Sequence, residues 1–539
     1  MKLTKSRMAR NPLSKALRLA RCANRSDTPP ADELVEMYRE SVRSRAQAPW
    51  TRRRFLKASG AATLAVAGSG LLTSCAKLKG ARRIAVVGAG LAGLNAAYTL
   101  KKLGHSAEVY EASKRLGGRI HTAYDVMAPG LFAELGGEWL DDDHEAGLSL
   151  VKELGLELND LRGPSEKDLL TAYYFDGKIY TDEQLVKALQ PVVELMENEI
   201  NILQKAYDLF EDGDPEEISA MLSPLDEMSA AEYLDRIGAS GWGRSFLEVA
   251  TASNGGLDCD QQSALNVIGS VSLDSSESLI YLFEEGNEQY KIVGGVQGII
   301  RGLSDGLDEG QVKLAHRLEA VKSSGEGFTL TFQDPNGASK DVEADFVIMT
   351  VPFSMLRNVE MQVEMPPEKR KAIDEMGYGV HTKLLMGVDK RVWREKGYSG
   401  GASTDEPFQA VYDTNQMEGY VGEPGGLTYY LGGQPSIDVR EGTAEEHVER
   451  FMPTVEKIFP GVSAEFNGKV ERFDWGTYPF SLGSYPCYKP GQWTTIYNPG
   501  EPLGNMLFAG DHCSWYQGYI NGAIESGKRA AEELAKRLG

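Results

Sequence analysis

Arg83-Ile84-Ala85-Val86-Val87-Gly88-Ala89-Gly90-Leu91-Ala92-Gly93-Leu94-Asn95-Ala96-Ala97-Tyr98-Thr99-Leu100 is the stretch on which the fold turns. The apolar run after Arg83 suits a buried parallel strand. It feeds straight into a glycine-spaced turn, and residues 94–100 continue at helical spacing. Gly88 permits the tight turn, Gly90 lets backbone approach a pyrophosphate, and Gly93 allows close helix–strand packing, with the small Ala89 and Ala92 between them. The helix that follows supplies free N–H groups and a positive dipole end. A second strand, Ala107–Tyr110, ends at Glu111, where an acidic residue accepts hydrogen bonds from an adenosine ribose. A lone glycine motif is weak; strand, glycines, helix, strand and acid in this order is strong.

NAD and FAD sites share that fingerprint, and the next segment separates them. Glu111-Ala112-Ser113-Lys114-Arg115-Leu116-Gly117-Gly118-Arg119 brings bare backbone and a second basic group toward a diphosphate. With Glu134-Leu135-Gly136-Gly137-Glu138-Trp139 after it, this stretch resembles the flavin-containing amine oxidases, which include monoamine, polyamine and L-amino acid oxidases. The resemblance runs over nearly all of residues 82–539. Val293-Gly294-Gly295 with Leu303 looks like the family's central motif, and Val312-Lys313-Leu314 with Leu318 resembles the strand that meets the adenine. Residues 344–352 look like the strand and turn that close this half. Leu507-Phe508-Ala509-Gly510-Asp511-His512, followed by Gly518-Tyr519-Ile520-Asn521-Gly522, resembles the family's most specific signature, a strand, a loop over the flavin and a helix aimed at its ring. A positive helix end there stabilises negative charge on reduced flavin.

The resemblance implies an α/β chain in which a Rossmann-like, doubly wound FAD-binding domain (82–158, 287–364 and 476–539) interleaves with an α+β substrate domain (159–286 and 365–475). Helix-like apolar spacing over 182–212 and 444–458 places those segments in the substrate domain. It implies non-covalent FAD, an amine substrate oxidised by hydride transfer to flavin N5, and reoxidation by O2. Lys383, in Gly379-Val380-His381-Thr382-Lys383, resembles the lysine that holds a water against flavin N5, with Val392-Trp393-Arg394 matching downstream. Tyr485 and Tyr519 resemble the two aromatic walls that sandwich the amine, where cation–π attraction is worth about 0.5–2 kcal/mol. Trp475 resembles a tryptophan at the flavin edge, and Trp515 and Tyr516 fall in a variable loop beside the pocket. Ser484 stands where animal monoamine oxidases bond covalently to flavin. Trp139 stands near where L-amino acid oxidases place the arginine that clamps the substrate carboxylate, which argues for amines over amino acids. An L-amino acid oxidase, and a desaturase or protoporphyrinogen-oxidase-like enzyme, are the alternatives. The Asp141-Asp142-Asp143 run reads as a solvated acidic loop in preference to a polyamine site.

The net charge of −21 conceals an asymmetry: residues 1–57 carry 15 Lys/Arg against 5 Asp/Glu, or +10, and the rest carries −31. So acidic a body repels nucleic acid. Five scattered cysteines (Cys22, Cys75, Cys259, Cys487, Cys513) form no CxxC or Cys/His ligand pattern, so neither a metal site nor a disulfide framework is expected. Residues 1–50 read as a basic N-terminal extension, either a cytoplasmic tail or a segment upstream of a start at Met37. Thr51-Arg52-Arg53-Arg54-Phe55-Leu56-Lys57 reads as a twin-arginine signal, and the weakly apolar run Ala58–Leu72 behind it is too short to span a bilayer. Leu72-Thr73-Ser74-Cys75 resembles a lipobox, in which the cysteine is lipidated and becomes the mature N-terminus. The expectation is export already folded, through the twin-arginine translocase, to the periplasm, with residues 1–79 outside the fold.

Overall fold

The structure is a computed structural model that describes residues 12–26, 28–46, 82–209, 214–271, 288–417, 419–420, 423–496 and 498–539. The twin-arginine segment and Cys75 lie outside the described residues.

Strand β1 (Ile84–Val87) is buried at every residue and lies at the centre of a five-stranded parallel sheet. It pairs on one side with β2 (Glu108–Tyr110) and on the other with Phe346–Met349. The sheet is completed by Val312–Lys313 beyond β2 and by Met506–Phe508 beyond Phe346–Met349. Three well-separated parts of the chain therefore build one sheet. Side-chain alternation divides its faces. Ile84 and Val86 pack with apolar residues of helix α3 (Leu91–Lys102), helix Gln297–Asp305 and the C-terminal helix Ile520–Leu538. Ala85 and Val87 pack with Leu318, Val321, Phe328 and Leu330 of a four-stranded sheet.

A seven-stranded sheet carries the second half of the molecule, and its strands come from Leu170–Tyr180 and from 381–474. Strand His381–Val388, second from one edge of this sheet and paired with Gly425–Gly432 and Phe466–Asp474, is buried at every position. The 182–212 pattern forms one long helix, Asp182–Leu209, and the 444–458 pattern forms Ala444–Ile458, closed at its start by a Thr443/Glu446 capping box.

Residues 12–46 depart from the expectation that 1–79 stand outside the fold. Helix α1 (Pro12–Ala23) and helix α2 (Ala31–Ala46) lie in the apolar core of helix Asp182–Leu209. Leu13, Leu17, Leu34 and Val35 are at most 2% exposed. The reading by overall charge overlooked an apolar stripe that recurs at helical spacing between the basic residues.

Candidate active site

Three glycines shape the turn after β1, each for its own steric reason. Gly88 has φ +106°, and a Cβ there would lie 2.5 Å from Thr350 Oγ1. A Cβ on Gly93 would lie 1.9 Å from the Gly88 carbonyl oxygen, so helix α3 approaches the turn only because that position is bare. Gly90 differs: its Cβ would meet nothing nearer than 3.8 Å, so the space over the turn is open. Helix α3 begins there without a side-chain cap, which leaves its first N–H groups for an anion. Gly117 and Gly118 close over the same point, Gly117 N–H donating to the Ala89 carbonyl at 2.9 Å. Glu111 is buried and accepts the Ala89 and Ser113 N–H groups at 2.8 Å each. Both carboxylate oxygens keep lone pairs toward the open space.

That space belongs to a cavity of about 940 Å³ that continues past Leu318, Gly510 and Asp511 to Tyr485 and Tyr519. Of the residues singled out from sequence for cofactor or chemistry, all line this cavity except Ala89 and Gly93, which support it from behind. Its glycine turn, unpartnered helix start and buried acid fit the diphosphate and ribose of a dinucleotide. Trp515 and Ser484 also line it.

Arg119 is committed elsewhere than to a phosphate. Its guanidinium forms a two-pronged pair with Asp511 and donates to the Ser484 carbonyl at 2.7 Å. It thus ties the front motif to the C-terminal signature. Burial alone would raise the Asp511 pKa, but Arg119 pulls it well below the ordinary range.

Lys383 is likewise fully engaged. Its ammonium donates to the Glu134 carbonyl (2.7 Å), the Gly136 carbonyl (3.1 Å) and Glu138 Oε2 (2.9 Å). All three protons are used, so a water at this group requires one of these bonds to open. Glu138 is shared: Lys291 sits 2.8 Å from Oε1, and the Tyr412 hydroxyl donates to Oε2 at 2.8 Å. Burial raises the Glu138 pKa, and the two lysines together bring it below the ordinary carboxylate value. Both ammonium groups lie under 6 Å from the Trp139 ring. Sequence reading found Glu138, Trp139 and Lys383 but missed Lys291 and Tyr412; the one available signal was a lysine inside the apolar run 290–293.

Tyr485 stands on a polar floor that sequence also missed. Its hydroxyl meets the Asn254 carbonyl, the Tyr430 hydroxyl at 3.0 Å and His381 Nε2 at 3.1 Å. The His381 ring stacks against both Tyr430 and Tyr485. Nε2 faces the Ser253 carbonyl at 2.8 Å, an obligate acceptor, which assigns a proton to Nε2; Nδ1 lies 2.6 Å from Ser484 Oγ, whose one proton is shared between that nitrogen and the Gly379 carbonyl at 2.9 Å. Burial pushes the His381 pKa down to about 4, so the ring is neutral. Tyr519 begins the C-terminal helix and meets His144 edge-on at 5.2 Å. The Trp475 indole donates to the Leu135 carbonyl at 2.7 Å.

Asp141 corrects the solvated-loop reading: it is 1% exposed and lines the cavity beside Glu288. Burial, with Glu288 and Asp143 nearby, raises its pKa well above the ordinary value. Asp141, Asp143 and His144 bring their ligand atoms within 4.8 Å of one another. His144 Nδ1 accepts the Asp141 N–H at 3.0 Å, however, and Nε2 faces Asp141 at 3.6 Å, so the ring serves its own loop.

A family model for flavin-containing amine oxidoreductases matches residues 91–535. The chain belongs to this family. Among curated relatives, this flavin amine oxidoreductase is 26% identical over 470 residues to an L-amino-acid oxidase of Demansia vestigiata, covering 84% of this chain and 86% of that one. It is 24% identical over 464 residues to an L-amino-acid oxidase of Gloydius blomhoffii, covering 84% and 89%. Its fold matches cyclohexylamine oxidase from Brevibacterium oxydans IH-35A (TM-score 0.71, 21% identity, 85% of this chain and 100% of that one). It also matches putrescine oxidase bound to putrescine (TM-score 0.69, 23% identity, 85% and 99%). The chain is an oxidoreductase of the two-domain amine oxidase fold, and the family carries a flavin.

Proposed function

We propose that the chain binds FAD without a covalent bond and oxidises an amine to an imine, which water converts to aldehyde and ammonia, with O2 reduced to hydrogen peroxide. The observation that carries this reading is the continuity of one cavity from the open glycine turn at Gly90 to Tyr485 and Tyr519. Glu111 would hold the ribose and the start of helix α3 the diphosphate. The flavin supplies the acceptor for the hydride equivalent and the route of electrons to oxygen. This chain's own residues bind, orient and exclude water. Tyr485 and Tyr519 present ring faces to the amine, and the floor of Asn254, Tyr430 and neutral His381 fixes the Tyr485 ring. A covalent link is disfavoured: Ser484 is buried against His381, and burial pushes the Cys487 thiol up to about 12.

Amines are favoured over amino acids by the charge inventory. A substrate carboxylate needs a buried cation, and Lys383, which lines the cavity, already shares Glu138 with Lys291. The relatives that are L-amino-acid oxidases make the amino-acid reading the one to exclude. Purified full-length protein should be yellow and release FAD on denaturation. Without oxygen, its flavin should bleach with primary amines and not with L-amino acids. Bleaching by amino acids alone would replace the substrate class, and a colourless folded protein that refuses FAD would end the reading. We propose also that residues 51–57 route the chain through the twin-arginine translocase to the periplasm, which suits an enzyme that takes up FAD before crossing. Changing Arg52, Arg53 and Arg54 to lysine should leave active enzyme in the cytoplasm; unchanged export would reject this route.

A further inference from the structure

The basic N-terminus and the acidic body meet at one surface. Helix α1 and helix α2 place Leu13, Leu17, Ala20, Leu34 and Val35 against Leu185, Leu189, Val192 and Met196 of helix Asp182–Leu209, all nearly inaccessible to water. Polar contacts ring this apolar patch. Arg21 forms a two-pronged pair with Glu197, at 3.0 and 2.7 Å. Arg39 pairs with both Asp182 and Glu183. Lys187 reaches back to Asp32 at 2.5 Å; along the seam the Asn24 side-chain amide donates to the Gln190 carbonyl at 2.8 Å and the Gln190 side-chain amide donates to Asn24 Oδ1 at 3.2 Å. Lys15 is half-buried over the Tyr38 ring at 4.5 Å, in the field of Asp182. Asp182 also accepts the Tyr173 hydroxyl at 2.8 Å, and against burial Lys15, this hydroxyl and Arg39 hold its pKa below the ordinary value. Leu13, Lys15, Tyr38 and Arg39 line the same cavity that holds Tyr485 and Tyr519.

We propose that the helix pair 12–46 is a resident part of the working enzyme, docked on helix Asp182–Leu209 and walling one part of the substrate cavity. Maturation at Cys75 that discards the pair is then incompatible with full activity, because the pair's contacts with helix Asp182–Leu209 would be lost. Loss of the pair would expose the apolar face of Asp182–Leu209 and remove the Lys15 and Arg39 cations from Asp182. A start at Met37 would have the same effect, since it deletes helix α1 and divides helix α2. The proposal does not depend on export or on substrate, so its failure leaves the flavin reading intact.

The test is the full chain with a C-terminal tag, purified as active flavoprotein from the cells that make it and weighed intact. The result expected is either the mass of the whole chain or two pieces, one containing residues 12–46, that co-purify. A single species beginning at Cys75 or later, with full activity, overturns the proposal. A second measurement covers the case in which deletion prevents folding: residues 76–539 are expressed alone and together with residues 1–50 as a separate chain. Alone, they should give no soluble flavoprotein, or one whose melting temperature is several degrees lower and whose KM for amine is raised. Co-expression should restore both values. If residues 76–539 alone match the full chain in melting temperature, dye binding and KM, the helix pair is dispensable and the inference fails.

Discussion

Replacing Glu138 with Gln tests the charge arrangement beneath Trp139 most directly. The carboxylate is 2% exposed and is shared by two lysines that are 6% and 4% exposed. The variant keeps shape and polarity but leaves two ammonium groups buried without a counter-ion. Removing one partner of a buried pair costs about 3–5 kcal/mol. Here Lys291 keeps the Thr414 carbonyl, and Lys383 keeps those of Glu134 and Gly136, so the lower end, about 3 kcal/mol, is expected. Denaturant unfolding at pH 7, followed by tryptophan fluorescence, reads this directly. The deficit also has a pH signature. In the variant a buried lysine has its pKa lowered below the unfolded value, so the unfolded chain binds more protons between the two values. Stability then rises with pH, and the gap to the parent narrows above pH 7. Adding Lys291→Met to Glu138→Gln should recover most of the loss, since one cation then keeps its carbonyl acceptors alone. A Glu138→Gln protein within about 0.5 kcal/mol of the parent at pH 7, with no pH dependence of the difference, would refute the shared-carboxylate reasoning.

Gly90→Val should fold with nearly parental stability in the absence of cofactor yet lose flavin absorbance, because its side chain enters open space over the turn. Gly93→Ala should fail to accumulate as soluble protein, since its methyl meets the Gly88 carbonyl; a Gly90→Val protein that binds flavin normally would dismiss the cradle. Lys383→Met should keep its flavin but turn over at least about tenfold more slowly, and unchanged single-turnover rates would remove this lysine from the chemistry. His381 has a folded pKa of about 4 against an ordinary 6.5, so as pH falls from 6.5 to 4 the unfolded chain gains a proton that the folded one refuses. This residue alone should therefore cost about 3 kcal/mol of stability across that window; His381→Gln should flatten the acid limb by that amount, and an unaltered limb would count against a neutral buried ring.

The nucleotide-binding half was legible because its constraints are local. A turn with φ near +106° followed by close helix packing needs bare residues at fixed offsets, and Gly88, Gly90 and Gly93 announce that within six positions. The C-terminal signature was legible through resemblance, since Gly510, Asp511 and Tyr519 lie within ten positions of one another. Arg119 shows where such reading stops. Its position in the motif was plain, but its partner Asp511 is 392 residues away, and only the folded chain commits the guanidinium to it.

What sequence by itself determined was the strand–glycine–helix cradle, the two-domain α/β fold class and the amine oxidase family. The cradle rests on spacing, which short-range sterics and backbone hydrogen bonding impose; the fold class and the family rest on the resemblance of several motifs along the chain. Tertiary structure alone decided that Glu138 sits between Lys291 and Lys383, that His381 and Tyr430 underpin Tyr485, that Asp141 is buried, and that helices α1 and α2 belong to the core. The physical reason is distance along the chain: a charge finds its partner, and an apolar face its cover, across hundreds of residues, where sequence spacing carries no signal.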